Sequence, residues 1–317
     1  MTVSLFSFEA YFVDGNTKAT DKLYANGNHQ VRVAIRIIKQ VDGVNTPLTD
    51  EEKESVTMTA RSTDPNVPLY PDWSCDKIKN EYDEGLLDDK KNIDSTVNSI
   101  MLEDEDKKET IYRYLRTNTK NYKSMEFMVV VTIDGNKYTT NMQKYLNILT
   151  VTPHKPYRIY RSDLRLKSNL IANHEFEEGY YVRVYILCWI LPYSLTIKKQ
   201  ELIGHQDTWL GITVYKRTSN NQIQSGTVLE MDIIKEDCRI EDTMAAAGLP
   251  YGDWPIPIIS GNQFIRATVG CCDKFHYKRD EDNLGGRINI IDNFGCLAKF
   301  SVMRNIDSMF LHLEDAD

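Results

Sequence analysis

The chain has 317 residues, 41% of them hydrophobic and 26% charged, which excludes a disordered chain and leaves room for two domains that each bury a core. Its 46 acidic and 38 basic residues give a net charge of −8, and the lysine pairs Lys90-Lys91 and Lys107-Lys108 lie among Asp and Glu. Without a basic stripe to meet phosphate, nucleic acid is excluded as a partner.

The segment Thr2 to Val13 alternates around Phe6, Phe8 and Phe12 and predicts an opening strand, ended by Asp14-Gly15-Asn16. It lacks the basic, apolar and cleavage regions of a secretory signal, so synthesis in the cytosol is expected, with any release by a non-classical route. Asn26-Gly27, a pair that tolerates the positive φ of tight turns, runs into a strand of strict period two. Val31, Val33, Ile35 and Ile37 fall on one face of it, Arg32 and Arg36 on the other. Asp42-Gly43 marks the next turn. Pro47 to Glu52 offers an N-cap and an acidic first turn for a single turn of helix, and Val56 to Ala60 is extended again.

Residues 61–106, rich in Asp, Asn, Pro and Lys, predict a long irregular insertion pinned by Trp73, Tyr82, Leu86 and Leu87. Thr110 to Thr117 alternates. Phe127 to Ile133, Asp134-Gly135 and Asn136 to Thr140 then form the clearest hairpin pattern in the chain. Read as polar-faced and exposed, that hairpin is an edge open to pairing with another chain.

Composition changes between Leu146 and Pro156, which puts a domain boundary there: a first sandwich over 1–150 and a second over 151–317. Strands are expected at Tyr180 to Leu191, Thr208 to Lys216, Gly226 to Ile234, Asn262 to Val269, Arg287 to Ile291 and Cys296 to Met303, and a short helix at Asp242 to Gly248. The most apolar run, Val184 to Leu191, falls far short of the about 20 residues of a membrane-spanning helix and predicts a buried strand. No period of 20 to 50 residues repeats. The fold class that follows is all-β: two β-sandwich domains, Ig-like or jelly-roll-like, with a few helical turns.

Tyr24-Ala25-Asn26-Gly27, the alternating strand after it, Asp42-Gly43, Pro47-Leu48 and Val56-Thr57 together resemble the opening of bacterial Ig-like domains of the invasin and intimin type. The resemblance covers about residues 16–60, and Asn26 stands where that family usually has Asp. It implies an immunoglobulin-like sandwich in a bacterial surface, adhesive or virulence-associated protein, and no active site.

Constellations that carry chemistry are sparse. The six cysteines are dispersed, which favours reduced, mostly buried thiols. Cys271, Cys272 and His276 lack the second ligand pair of a structural zinc site, and His174-Glu175 does not continue into a metalloprotease helix motif. Asp280 and Asp282, ahead of Asn283 and Gly285-Gly286, are weak candidates for a hard cation without the closing bidentate Glu. No Gly-x-Ser-x-Gly elbow or phosphate-binding Gly-rich loop occurs. No catalytic residue and no cofactor is therefore expected.

Binding is the stronger theme. The stretch Gly248 to Pro257 is stiffened by three prolines and presents Tyr251 and Trp254, side chains suited to protein and glycan surfaces. Trp73 carries the same two readings, partner contact or packing. The sequence thus predicts a non-enzymatic bacterial protein that binds a protein partner, itself, or a glycan or host-cell surface. Two other readings stand beside it. A β-pore-forming toxin subunit would use Thr208 to Ile234 as its hairpin, against which Lys216, Arg217, Glu230 and Asp232 weigh; a hydrolase or metal-dependent enzyme would assemble its site from scattered residues.

Overall fold

The computed structural model describes residues 2–87, 109–175, 181–204, 211–217, 223–229, 231, 261–272, 285–304 and 311–317. Two compact units divide the chain: unit 1 is Met1–Tyr157 with Phe294–Cys296, and unit 2 is Arg158–Asn293 with Leu297–Asp317.

Unit 1 contains β1 (Val3–Phe12), β2 (Ala19–Thr20), β3 (Val31–Val41), β4 (Val44–Thr46), α1 (Asp50–Ser55), β5 (Thr57–Ala60), β6 (Trp73–Asp76), β7 (Glu109–Thr117), β8 (Met125–Ile133), β9 (Asn136–Thr139) and β10 (Leu149–Val151). One sheet runs β1-β3-β7-β6, with β4 also on β3; the other runs β2-β10-β8-β5, with β9 also on β8. Taking β1, β3, β5, β6, β7, β8 and β10 as strands A to G, the sheets read A-B-E-D and C-F-G, the strand order of an immunoglobulin sandwich. β2 adds a parallel strand beside G.

The period-two pattern explains the layering. Val31, Val33, Ile35 and Ile37 of β3 share one core with Phe127, Val129, Val131 and Ile133 of β8, joined by Phe8, Phe12, Leu115 and Trp73. Each such side chain contributes about 1.5–3 kcal/mol when fully withdrawn from water. The turns match their residues. Asp42-Gly43 and Asp134-Gly135 both have φ > 0 at both positions, as two-residue hairpins of right-handed twist require.

Two expectations change. The Phe127 hairpin is an edge only in its second strand: β8 pairs with β5 on one side and with β9 and β10 on the other, with Met128 and Val130 buried as well as the core-facing set, while β9 pairs with β8 alone. Apolar residues on both faces of a strand belong at a sheet centre, not its rim. Trp73 lies within the stretch read as irregular, yet it opens β6 and is only 6% exposed, its ring 4.7 Å from that of Phe127. A side chain so covered has no surface to offer a partner, so its role is packing. The Asn26-Gly27 turn takes the positive φ its residues allow, +78° at Gly27, and Asn26 Oδ1 accepts from the N–H groups of Asn28 and His29 at 2.9 and 2.7 Å.

The long outer edge of β1 is blunted. Its register shifts between Leu5 and Ser7, Ala10 N–H donates to Asn147 Oδ1 at 3.2 Å, and the Leu5 carbonyl accepts from Lys144 Nζ and Tyr145 OH. A bulge and side-chain partners consume groups that another strand would use.

Unit 2 contains β11 (Arg165–Glu175), β12 (Tyr181–Ile190), β13 (Ile197–Gly204), β14 (Gly211–Arg217), β15 (Ile223–Leu229), β16 (Phe264–Cys272), β17 (Gly286–Asp292), β18 (Leu297–Arg304) and β19 (Leu311–Asp315). Its sheets run β11-β12-β16-β15-β14 and β13-β17-β18-β19. The A-B-E-D and C-F-G order recurs here, with β14 and β19 as added edges. β12 is buried on both faces through Val184, Ile186, Leu187, Cys188 and Trp189, as its unbroken apolar run implies. At Gly226 an added Cβ would lie 2.5 Å from Leu311 Cγ, so only a glycine fits between these facing strands. Cys75, Cys188 and Cys296 are free thiols. Among the described residues no helix is long and apolar enough to cross a membrane.

Trp73→Ala should leave a cavity against Phe127 and destabilise unit 1 by about 3–5 kcal/mol, read from chemical denaturation. A loss below 1 kcal/mol would mean that the indole is not packed as described.

Candidate functional site

In unit 1 the B–C and F–G connections leave the sandwich at one end, where Ser55 of the first meets Thr132 just before the second. The B–C connection, 42–56, carries β4 and α1; the F–G connection, 134–148, carries β9. Elaborated loops on a rigid sandwich are where such folds place recognition.

The B–C connection is fixed by its own sequence. Thr49 caps α1, its hydroxyl accepting from Glu52 N–H at 3.2 Å while Glu52 Oε2 accepts from Thr49 N–H at 2.8 Å. The same Oε2 meets Lys39 Nζ of β3 at 2.7 Å, in a pair with side chains only 8% and 11% exposed. Arg113 of β7 reaches the other end of the helix, donating to the carbonyls of Val56 and Lys53, both at 2.7 Å. Burial pushes its guanidinium pKa down, while the carbonyls left open at the helix end supply acceptors. Ser55 Oγ accepts from Thr132 N–H at 2.9 Å. Three strands thus hold a six-residue helix that would not persist alone.

This anchoring opens a cleft. β1 occupies one edge of β3 over Val33–Val41, so β4 and β7 must share the other; β4 pairs from Lys39 onward and β7 up to Ile37. Where they part, at Ile38, lies a cleft of about 340 Å³ lined by Ile37, Ile38, Lys39, Asn45, Thr46, Pro47, Leu48 and Glu109. That volume is at the small end of ligand sites. Its walls are largely aliphatic. Lys39 is neutralised by Glu52, whereas Glu109 Oε2 is buried without a hydrogen bond, 3.4 Å from Lys53 Nζ. The lining pairs no nucleophile with a base. It can hold a chain with an apolar body and a polar tip.

A second surface sits on the outer face of the A-B-E-D sheet. Tyr11, Ala34 and Tyr112 are in register across β1, β3 and β7, with Arg36 4.9 Å from the Tyr11 ring centre and Arg32 5.8 Å from that of Tyr112. Arg32 is matched by Glu84 and the neighbouring Arg116 by Asp76, so the face carries little surplus charge with which to select a partner.

Of the residues singled out from sequence, Trp73 belongs to the core, while Tyr251, Trp254, Asp280 and Asp282 lie outside the described residues, as do the Asp242 to Gly248 helix and His276. Sequence reading found the helical turn and its acidic start. It missed Lys39 and Glu109 because a lysine in an alternating strand reads as solvent-facing, and nothing local marks its partner thirteen residues away.

No family model and no curated protein matches the sequence. Solved structures with some likeness include a marsupial T cell receptor, at 10% identity over 96% of this chain and 100% of that one, with a TM-score of 0.22. Another is the C-terminal domain of the antigen I/II-family protein AspA of Streptococcus pyogenes, at 9% identity over 99% and 100%, with a TM-score of 0.21. A third is the collagen binding domain of the surface protein RspB of Erysipelothrix rhusiopathiae, at 9% identity over 98% and 96%, with a TM-score of 0.16. At such scores the likeness carries no argument; the immunoglobulin-type assignment rests on strand order.

Glu52→Ala should strand the Lys39 ammonium in a covered site and remove the cap together, costing about 3–5 kcal/mol in denaturant unfolding. The double variant Lys39→Met/Glu52→Met should recover much of that loss. Equal stability of Glu52→Ala and the unsubstituted protein would show that the pair is solvated.

Proposed function

We propose that this chain is a non-enzymatic binding protein that recognises a protein partner with the B–C and F–G end of unit 1, one partner side chain entering the cleft beside Ile38. The observation that carries this reading is the cleft itself, with a loop held rigid on one wall and the Glu109 carboxylate, 3.4 Å from Lys53 Nζ, on the other. Rigid walls lower the ordering cost of binding. An aliphatic lining with a single carboxylate suits a side chain with an apolar stem and a donor tip, such as Lys, Arg or Tyr. The bacterial and virulence-associated setting is carried by the resemblance over 16–60 alone, and stands as part of this proposal.

Panning a random peptide library on the full chain, with Thr46→Trp as a variant whose cleft is filled, tests the reading. Enriched peptides should carry a Lys, Arg or Tyr anchor and lose at least about tenfold in affinity for Thr46→Trp, equivalent to about 1.4 kcal/mol. Peptides that bind both proteins equally would place recognition elsewhere.

A further inference from the structure

His29 of unit 1 is fully buried, and its role is not explained by the cleft. Its Nδ1 accepts from Tyr24 N–H at 2.9 Å, which puts the single ring proton on Nε2. Nε2 faces the backbone of Asp83 and Gly85 without a hydrogen bond of normal geometry. The ring packs against Tyr24 at 5.3 Å and Phe294 at 5.9 Å between centroids.

The same segment grips Phe294–Cys296, which belongs to unit 1. Asn26 Nδ2 donates to the Phe294 carbonyl at 3.0 Å and to Cys296 Sγ at 3.4 Å, and Asn28 Nδ2 donates to the Gly295 carbonyl at 3.0 Å. Gly295 has φ +76°, and a Cβ there would fall 2.5 Å from Asn28 Cβ. This fit is close and depends on Asn26, whose Oδ1 is held by the N–H groups of Asn28 and His29.

A second proton on His29 must go to Nδ1. There it would set a donor against the Tyr24 N–H and place a charge among aromatic rings. We propose that protonation of His29 unlatches Phe294–Cys296 from the Leu23–Gln30 segment, making this corner of unit 1 an acid-sensitive clasp.

Burial lowers the His29 pKa from 6.5 to about 4; the backbone and charge of Asp83 and the backbone of Gly85 act in the opposite sense, and Lys79 adds to the lowering. Tyr24 also packs against Tyr157 and His154, at 5.2 and 6.5 Å between ring centroids, with His154 3.7 Å from Asp21. The open form, with an ordinary imidazole, binds the proton more tightly than the closed one. Opening is therefore promoted as pH falls below 6.5, and the effect is complete only below 4. Between pH 7.5 and 5 the opening equilibrium should rise about 30-fold.

Hydrogen–deuterium exchange of the full chain, corrected for the intrinsic pH dependence of exchange, reads this directly in peptides covering 23–30 and 293–297. The expected result is a loss of protection of about 30-fold in both peptides together, abolished in His29→Gln and retained in His154→Gln. A response that is absent, confined to one peptide, or removed by His154→Gln would overturn the proposal. Should His29→Gln fail to fold, an NMR titration of the unsubstituted protein decides: the His29 ring should stay neutral in the closed form down to pH 5, and titration at an ordinary 6.5 would overturn the clasp.

Discussion

Two stripes of apolar side chains, Val31-Val33-Ile35-Ile37 on β3 and Phe127-Val129-Val131-Ile133 on β8, give each sheet of unit 1 a face that water must leave. Their shared core is the constraint on which everything else in that unit depends. It fixes register, because a slip by one residue would turn Arg32 and Arg36 inward and the aliphatic set outward. With the register fixed, β1 takes one edge of β3, and β4 and β7 are left to divide the other. The cleft beside Ile38 is a consequence of that division.

The charged residues near the cleft follow from the same geometry. Lys39 continues the inward-facing stripe of β3 and is buried by register, not by choice of environment; Glu52 and the capping box of α1 answer it. Arg113, opposite Val33 on β7, is likewise carried inward and finds the carbonyls at the end of α1. Two buried cations thereby turn an isolated helical turn into a fixed wall. The helix stands because the sheet needs its acceptors, and the sheet tolerates the cations because the helix is there.

How much of this was legible in the sequence follows strand position. Central strands β3, β8 and β12 announce themselves through apolar runs or strict alternation, and the Asp-Gly turns at 42–43 and 134–135 do so through their residue types. Most of the unforeseen strands are edges: β6, β11, β13 and β19 are each paired on one side and more polar or short, so their patterns fade into those of loops. Only the first strand of the Phe127 hairpin is more enclosed than its polar residues suggest, because Met128 and Val130, on the same face as Thr132, are buried. The candidate site was the least legible part. Its ion pair joins residues on different elements, and His29 sits in a polar run whose burial only the tertiary fold creates.

The two units share an A-B-E-D and C-F-G order without sharing a sequence repeat, which shows how loosely this topology constrains side chains beyond the apolar period. The most direct test of the central claim is amide exchange along β8, measured residue by residue by NMR. Strands bonded on both sides should protect consecutive amides from Phe127 to Val131 together. Protection of every second amide only, the pattern of a strand with one neighbour, would contradict the account.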